Sequence, residues 1–405
     1  MNRYDLITPE GTSDLLFEDC AMRRSLEEKL SGIFISKGYC EIVTPGLEFF
    51  DVFNLNSRYF PQESMYKLSD NKGRLLVVRP DSTMPIARVA ATRLRDARLP
   101  LRLYYRQNVY RNKPVMRGRS DEIHQMGIEL IGSDSKRADL EVISSAIEVL
   151  ASFENEDFRF ELGDIGFFRE LVNKLDADIA AKEEIRSLIE VKNYPALNDL
   201  LDSIGDNEIT NALKQLPRLF GGEGVFDKAA ELYDDEKIRG VISELRGLYN
   251  SLIELGYGGK ITIDLGIVNK LDYYTGVVMK GYLQGYGDAV LSGGRYNKLL
   301  AEFGYDVPAT GFAVNVDAAA KVMKQSHTYS APVPNVIVYG ADGFVMEAIK
   351  YANGLRGNGL IVENSVFDSY GSTKEYAAEK GIAKAVCVGK EILTENIIVE
   401  GGQNG

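Results

Sequence analysis

The chain has 405 residues, 45% of them hydrophobic and 26% charged, and a formal net charge of −12. That length and composition predict a globular protein of two or three domains. The acidic balance weighs against a phosphate-neutralising nucleic-acid surface. No apolar run approaches the roughly 20 residues of a membrane span, and the opening residues lack the basic-then-apolar plan of a signal peptide. The cysteines Cys20, Cys40 and Cys387 are scattered and the histidines are only His124 and His327, which excludes a disulfide scaffold and offers no metal-ligand spacing. These features predict a cytoplasmic location, no metal, no cofactor, and small ligands or proteins as partners.

In chain order, residues 17–37 place Met22, Leu26, Leu30, Ile33 and Phe34 at helical spacing, with Gly38 as a stop. Strand-like runs follow at 41–45, 74–80, 101–111 and 122–132, the last two suited to antiparallel pairing across a long basic loop. Residues 137–153 read as a second amphipathic helix. From about 165 to 255 the pattern is helical with mixed charge, an inserted helical subdomain. Strand patterns resume at 260–266 and run through DYYTGVVMKGYL and DAVLSGGRYNKLL. A Ser/Thr/Pro-rich stretch at 326–334 reads as a linker, separating a domain over 1–325 from a small α/β domain over 335–405.

Four stretches carry polar groups at strand ends. Asp81 and Thr83 in RPDST are two residues apart, on one face of an extended segment, as are Gln125 and Glu129 in HQMGIE. LDYYTG supplies Asp272, Tyr273 and Tyr274, and SGGRYNKLL supplies Arg295 and Tyr296 after a glycine pair. Each has a structural alternative: the tyrosines as core and edge, SGGRY as a hairpin turn, Asp81 as the cap of a helix starting at Ser82, and His124 as a structural residue. Together they offer carboxylate, amide and phenol groups suited to a small zwitterion with an ammonium and further N–H donors.

The order of these stretches resembles the class II aminoacyl-tRNA synthetase catalytic domain of the histidyl-tRNA synthetase type, over about residues 5–320. The matching segments are PEGTSDLL, KGYCEIVTPGLE, VYRNKPVMRGRSDEIHQMGIE, LDYYTG, SGGRYNKLL and TGFAV. The resemblance implies an α+β fold, an antiparallel sheet flanked by helices, with the helical insertion and a shortened relative of the anticodon-binding domain at the C-terminus. It implies that Asp81, Thr83 and Gln125 hold a histidine ammonium, that Glu129 and Tyr274, with Tyr296 nearby, address the imidazole, and that Arg111 and Tyr273 complete the set. A simpler alternative pairs Glu129 with Arg295.

Three positions depart from the synthetases. The Arg-Gly pair before LDYY is replaced by Asn269 and Lys270, the arginine ending motif 3 by Ala318, and the motif 2 glutamate after Arg111 by Lys113. Amino-acid adenylation builds negative charge at phosphorus, so removing placed cations removes transition-state stabilisation. Asp81 also stands where the family usually has a glutamate. This pattern resembles the regulatory subunits of ATP phosphoribosyltransferase, synthetase paralogues without catalysis of their own. That resemblance implies a homodimeric core, a hetero-octamer with a short-form catalytic subunit, feedback by L-histidine, and no nucleic acid. The 17–37 helix and EIVTP at 41–45 are then expected to form the dimer interface, which would bury the apolar stripe. The alternatives are a working histidyl-tRNA synthetase in which Lys270 replaces the arginine, a synthetase-like enzyme charging something other than tRNA, and a stand-alone histidine sensor.

Overall fold

A computed structural model describes residues 4–55, 61–112, 120–153, 157–268, 274–326 and 332–397. The chain divides into two compact units, Met1–Thr328 and Tyr329–Gly405.

The first unit opens with α1 (Phe17–Ser36), favoured by Glu18 and Asp19 in its first turn and ended by Gly38 at φ +80°. Then come β1 (Cys40–Glu41), β2 (Leu47–Phe49), β3 (Lys67–Ser69), β4 (Leu75–Val78), α2 (Thr83–Ala91), β5 (Leu101–Tyr110), β6 (Glu122–Ile131), α3 (Lys136–Ser152) and β7 (Phe158–Asp164). Six helices lie between β7 and β9: α4 (Ile165–Asn173), α5 (Ile179–Glu190), α6 (Tyr194–Ile204), α7 (Glu208–Gln215), α8 (Gly224–Leu232) and α9 (Glu236–Leu252), with the short β8 (Phe220–Gly221) among them. Asp164, Asp178, Asn193, Asn207 and Asp235 cap five of these helices by accepting backbone N–H bonds. The unit closes with β9 (Ile261–Asp264), β10 (Val277–Leu283), β11 (Leu291–Arg295), β12 (Ala309–Asn315) and α10 (Val316–Ser326).

Nine of these strands form one sheet in the order β1-β5-β6-β12-β11-β10-β7-β9-β8. Its centre is antiparallel, as the sequence predicts; the pairs β1–β5 and β7–β9 are parallel. The second pair brackets the helical insertion, since a parallel return needs a long crossover. A smaller antiparallel sheet joins β2, β4 and β3. Among the described residues no helix is long and apolar enough to cross a membrane.

The α1 stripe has a different destination from the one expected. Met22, Leu26, Leu30 and Phe34 are buried within their own chain, and the Phe34 ring sits 5.8 Å from Tyr104 and 6.0 Å from Phe312. The stripe covers the reverse face of the sheet and is not free for a partner. His124 faces the same side, its Nδ1 2.6 Å from Asn108 Oδ1 and its Nε2 2.9 Å from Glu27 Oε1. Exposed apolar side chains lie instead on the small sheet, where Leu47, Phe49 and Leu68 face outward.

The second unit is a four-stranded sheet, β14 (Val362–Asn364), β13 (Val336–Gly340), β15 (Lys384–Val388) and β16 (Ile392–Asn396), parallel except for β16. Helices α11 (Val345–Gly357) and α12 (Tyr370–Glu379) cover it. Val336, Val338, Ala348 and Ala352 pack in one cluster and Ile337, Ala377 and Ile382 in another, the two-sided burial expected of parallel strands.

Candidate functional site

The face of the large sheet opposite α1, partly covered by α2, carries a trough made by missing side chains. Gly127, Gly294 and Gly311 stand on β6, β11 and β12, where Gly311 pairs with both Glu129 and Gly294. A methyl group on Gly311 would overlap Glu129 Oε2 and the Ile128 carbonyl, one on Gly294 the Tyr274 ring, and one on Gly127 the Tyr105 hydroxyl. Backbone without Cβ atoms thus lets three large polar side chains lie flat across the strands.

Glu129 ends in this trough at 2% exposure. Thr83 Oγ1 donates to its Oε1 at 2.7 Å, and the Tyr296 hydroxyl donates to its Oε2. Burial pushes the carboxyl up to about 8, against the lowering effect of those two hydrogen bonds; the nearby Asp81 charge pushes the same way as burial. At neutral pH the group is therefore mostly protonated. Arg295 is not its partner. That residue points to the reverse face, where its Nε meets the Asp139 carboxylate at 2.9 and 3.1 Å and its Nη1 meets Asp134 Oδ1 at 3.3 Å.

Asp81 and Thr83 are not on an extended segment. Thr83 opens α2, and Asp81 Oδ1 accepts the Met84 N–H at 2.9 Å, so the aspartate caps a helix. Burial raises the Asp81 pKa, opposed first by the Arg111 charge. Arg111 is oriented by its Nε, which donates to the Pro80 carbonyl at 2.8 Å. Gln125 and Glu129 do share one face of an unbroken strand. Burial also raises the pKa values of Tyr105 and Tyr274, with the Glu129 and Asp81 carboxylates adding to the effect. Both phenols stay neutral. Tyr273, Lys113, Asn269 and Lys270 lie outside the described residues.

A cavity of about 330 Å³ adjoins this cluster, lined among others by Arg111, Gln125, Tyr274, Lys280, Ala318 and Lys321. Its size is at the lower end for small-molecule sites. Of the residues singled out from the sequence, Arg111, Gln125 and Tyr274 line it, while Asp81, Thr83, Glu129 and Tyr296 form a closed polar cluster behind Tyr274. Gln125 is 8% exposed, and its side-chain oxygen has no hydrogen-bond donor among the described residues. A buried carbonyl without a donor is unfavourable by roughly 1–3 kcal/mol, which makes it a place for a ligand N–H. Ala318 puts a methyl group in the cavity wall, its N–H capped by Asn315 Oδ1 at 3.0 Å. The neighbouring Asp317 is held by Arg23 at 2.5 Å and by the His124 N–H at 2.7 Å. The residues that sequence reasoning missed are Tyr105, Lys280, Lys321 and the trough glycines Gly127 and Gly311, whereas Gly294 belongs to the glycine pair before Arg295. The register across strands places them, and no single segment carries that signal.

The raised carboxyl of Glu129 gives a stability prediction. Between the ordinary value of 4.5 and about 8, the native state keeps a proton that the unfolded chain has released. Stability therefore falls as pH rises through that window, by an amount on the order of a few kcal/mol. Glu129→Gln removes this contribution. By calorimetry, the variant's melting temperature minus that of the wild type is expected to grow by several degrees from pH 5 to pH 8.5. A difference independent of pH would show that Glu129 does not hold its proton.

The family model described as histidyl-tRNA synthetase matches residues 11–319. A protein of Clostridium acetobutylicum named ATP phosphoribosyltransferase regulatory subunit is 40% identical over 397 residues, 96% of this chain and 97% of its own. One of the same name from Bacillus thuringiensis is 37% identical over 401 residues, 98% of this chain and 95% of its own. Among solved structures, an ATP phosphoribosyltransferase regulatory subunit/histidyl-tRNA synthetase from Bacillus halodurans superposes with a TM-score of 0.83 at 29% identity, covering 93% of this chain and 97% of that one. Histidyl-tRNA synthetase from Nostoc shares the fold at a TM-score of 0.78 and 22% identity, covering 96% of this chain and 97% of that one. The fold, the family match and the near-full-length identity agree: the chain belongs to the ATP phosphoribosyltransferase regulatory subunits, a family built on the histidyl-tRNA synthetase fold.

Proposed function

We propose that this chain catalyses no reaction of its own and is the subunit through which L-histidine controls a short-form ATP phosphoribosyltransferase catalytic subunit. The observation that carries the reading is the Gln125 oxygen, buried at the cavity wall without a donor among the described residues. An α-amino acid fits there, with its ammonium on Gln125 and its carboxylate toward Arg111, and the ammonium gains Asp81 when the Tyr274 ring moves aside. The imidazole reaches Glu129 when the Tyr105 and Tyr274 rings give way in the trough. Glu129 then shares its proton with the ring in a hydrogen bond of partly ionic character, stronger than one between neutral groups.

The absence of reaction rests on Ala318, a methyl at the position from which an arginine would meet the charge built up during adenylation. Lys280 and Lys321 in the same cavity favour the competing reading, a working synthetase. Histidine-dependent ATP–pyrophosphate exchange separates the two. The purified chain is expected to stay at background, and clear exchange would establish synthetase chemistry.

Assembly into a hetero-octamer around a homodimeric core belongs to the same proposal. The outward Leu47, Phe49 and Leu68 of the small sheet give the dimer an apolar face in place of the α1 stripe. The net charge of −12 supports a complex without nucleic acid.

A further inference from the structure

A second cavity, of about 630 Å³, lies behind the sheet, between the first turns of α3 and α4, one face of α9, and the segment leading into β10. Its apolar wall includes Leu140, Val241, Leu245, Leu248 and Val277. Its charged groups are unevenly matched. Arg295 holds Asp134 and Asp139, and Lys136 holds Glu244 at 3.1 Å. Asp164 accepts the Gly166 N–H at 2.7 Å, and burial pushes its carboxyl up to about 7. Arg169, half-buried at the wall, lowers the Asp164 pKa through its charge but makes no close ion pair among the described residues; its Nη2 donates to the Thr275 carbonyl, at a long 3.3 Å. The cavity's carboxylates are thus paired, capped or partly neutral, while a cation beside an apolar wall keeps donors to spare.

We propose that this cavity binds a small monocarboxylate with an apolar body, the carboxylate on Arg169 and the body against Leu248 and Val241. The chain path couples it to the first cavity. Tyr274 lines the front cavity and Thr275 the rear; Arg295 lines the rear, while Tyr296 holds Glu129 in front. The Thr275 N–H donates to the Arg295 carbonyl at 2.7 Å and the Asn297 N–H to Thr275 Oγ1 at 2.9 Å, so the two crossing points are tied together. A carboxylate that draws Arg169 from the Thr275 carbonyl shifts the backbone that carries Tyr274. The change in histidine affinity rests on the histidine reading of the front pocket; the binding itself does not.

The test titrates the full chain with phenylacetate and with hexanoate by calorimetry, with and without histidine. Saturable one-to-one binding is expected, weakened about tenfold or more by Arg169→Gln and lost in Leu248→Trp, which fills the cavity while histidine binding persists. Ser251→Phe, on the same face of α9, replaces Leu248→Trp should that variant fail to fold. Saturating phenylacetate is expected to move histidine affinity at least about threefold in wild type and not in the filled variant. Absence of saturable binding by both acids, or binding unchanged in a folded filled variant, overturns the site. Phenylacetate binding in a chain that ignores histidine keeps the rear site and rejects the front-pocket reading.

Discussion

Gly311→Ala is expected to unseat Glu129 and to remove histidine binding together with much of the stability of the first unit. The added methyl meets Glu129 Oε2 on one side and the Ile128 carbonyl on the other. The carboxyl can turn away only by giving up its hydrogen bonds from Thr83 and Tyr296, and the carbonyl belongs to the central strand β6 and cannot turn at all. Overpacking of this kind costs about 1–3 kcal/mol, and the buried hydroxyls left without an acceptor cost about 1–3 kcal/mol more. The melting temperature of the first unit should fall by roughly 10 °C, and histidine affinity by more than about a hundredfold, since the ligand's deepest contact is displaced. Scanning calorimetry and histidine titration measure both. Glu129→Ala added to Gly311→Ala should cost less than the sum of the two, because the first change removes half of the clash. Wild-type melting and binding in Gly311→Ala would show that the trough is not a constraint.

The parts of this arrangement legible in the sequence were those set by local periodicity. The strands at 101–110 and 122–131 show only partial alternation, but the even spacing of Gln125 and Glu129 puts both on one face of an unbroken strand. The helix at 17–36 shows its stripe, but the stripe does not say what covers it, and its own sheet does. The two-residue spacing of Asp81 and Thr83 suggested an extended segment; Pro85 is tolerated in a helix's first turn, and Asp81 supplies the cap. Strands of two or three residues such as β1 and β2 are too short for a pattern. The trough itself depends on which glycine faces which strand. Gly127, Gly294 and Gly311 are far apart in the chain, and only their register reveals why Glu129, Tyr105 and Tyr274 can lie flat.

Glu129→Gln is expected to weaken histidine binding about tenfold while preserving the fold, because glutamine keeps the shape and the neutral hydrogen bonds but cannot give up a proton. The difference between a charged and a neutral hydrogen bond is about 1–1.5 kcal/mol. The pH dependence identifies the cause. Below about pH 6.5 the free imidazole is itself protonated, and binding must release the Glu129 proton, so affinity rises with pH. Between about 6.5 and 8 neutral histidine meets protonated Glu129, no net proton is exchanged, and affinity is level. Above about 8 the wild-type site must take up a proton, and affinity falls about tenfold per pH unit. The histidine ammonium also loses its proton at alkaline pH and lowers affinity in both proteins, so the glutamine variant falls less steeply. The same decline in both proteins would place the titrating group elsewhere.

The central claim is that histidine acts on the partner's reaction through this pocket. The most direct measurement reconstitutes the chain with a short-form catalytic subunit and follows phosphoribosyl transfer against histidine concentration, for wild type and Glu129→Gln. Because feedback is a coupling between two sites, weaker binding here moves the inhibition curve without altering the uninhibited rate. The expected result is equal basal activity and equal assembly, with the variant's inhibition midpoint about tenfold higher in histidine. Identical midpoints in two normally assembled complexes would contradict it, and would place the histidine that controls the reaction outside the Glu129 pocket.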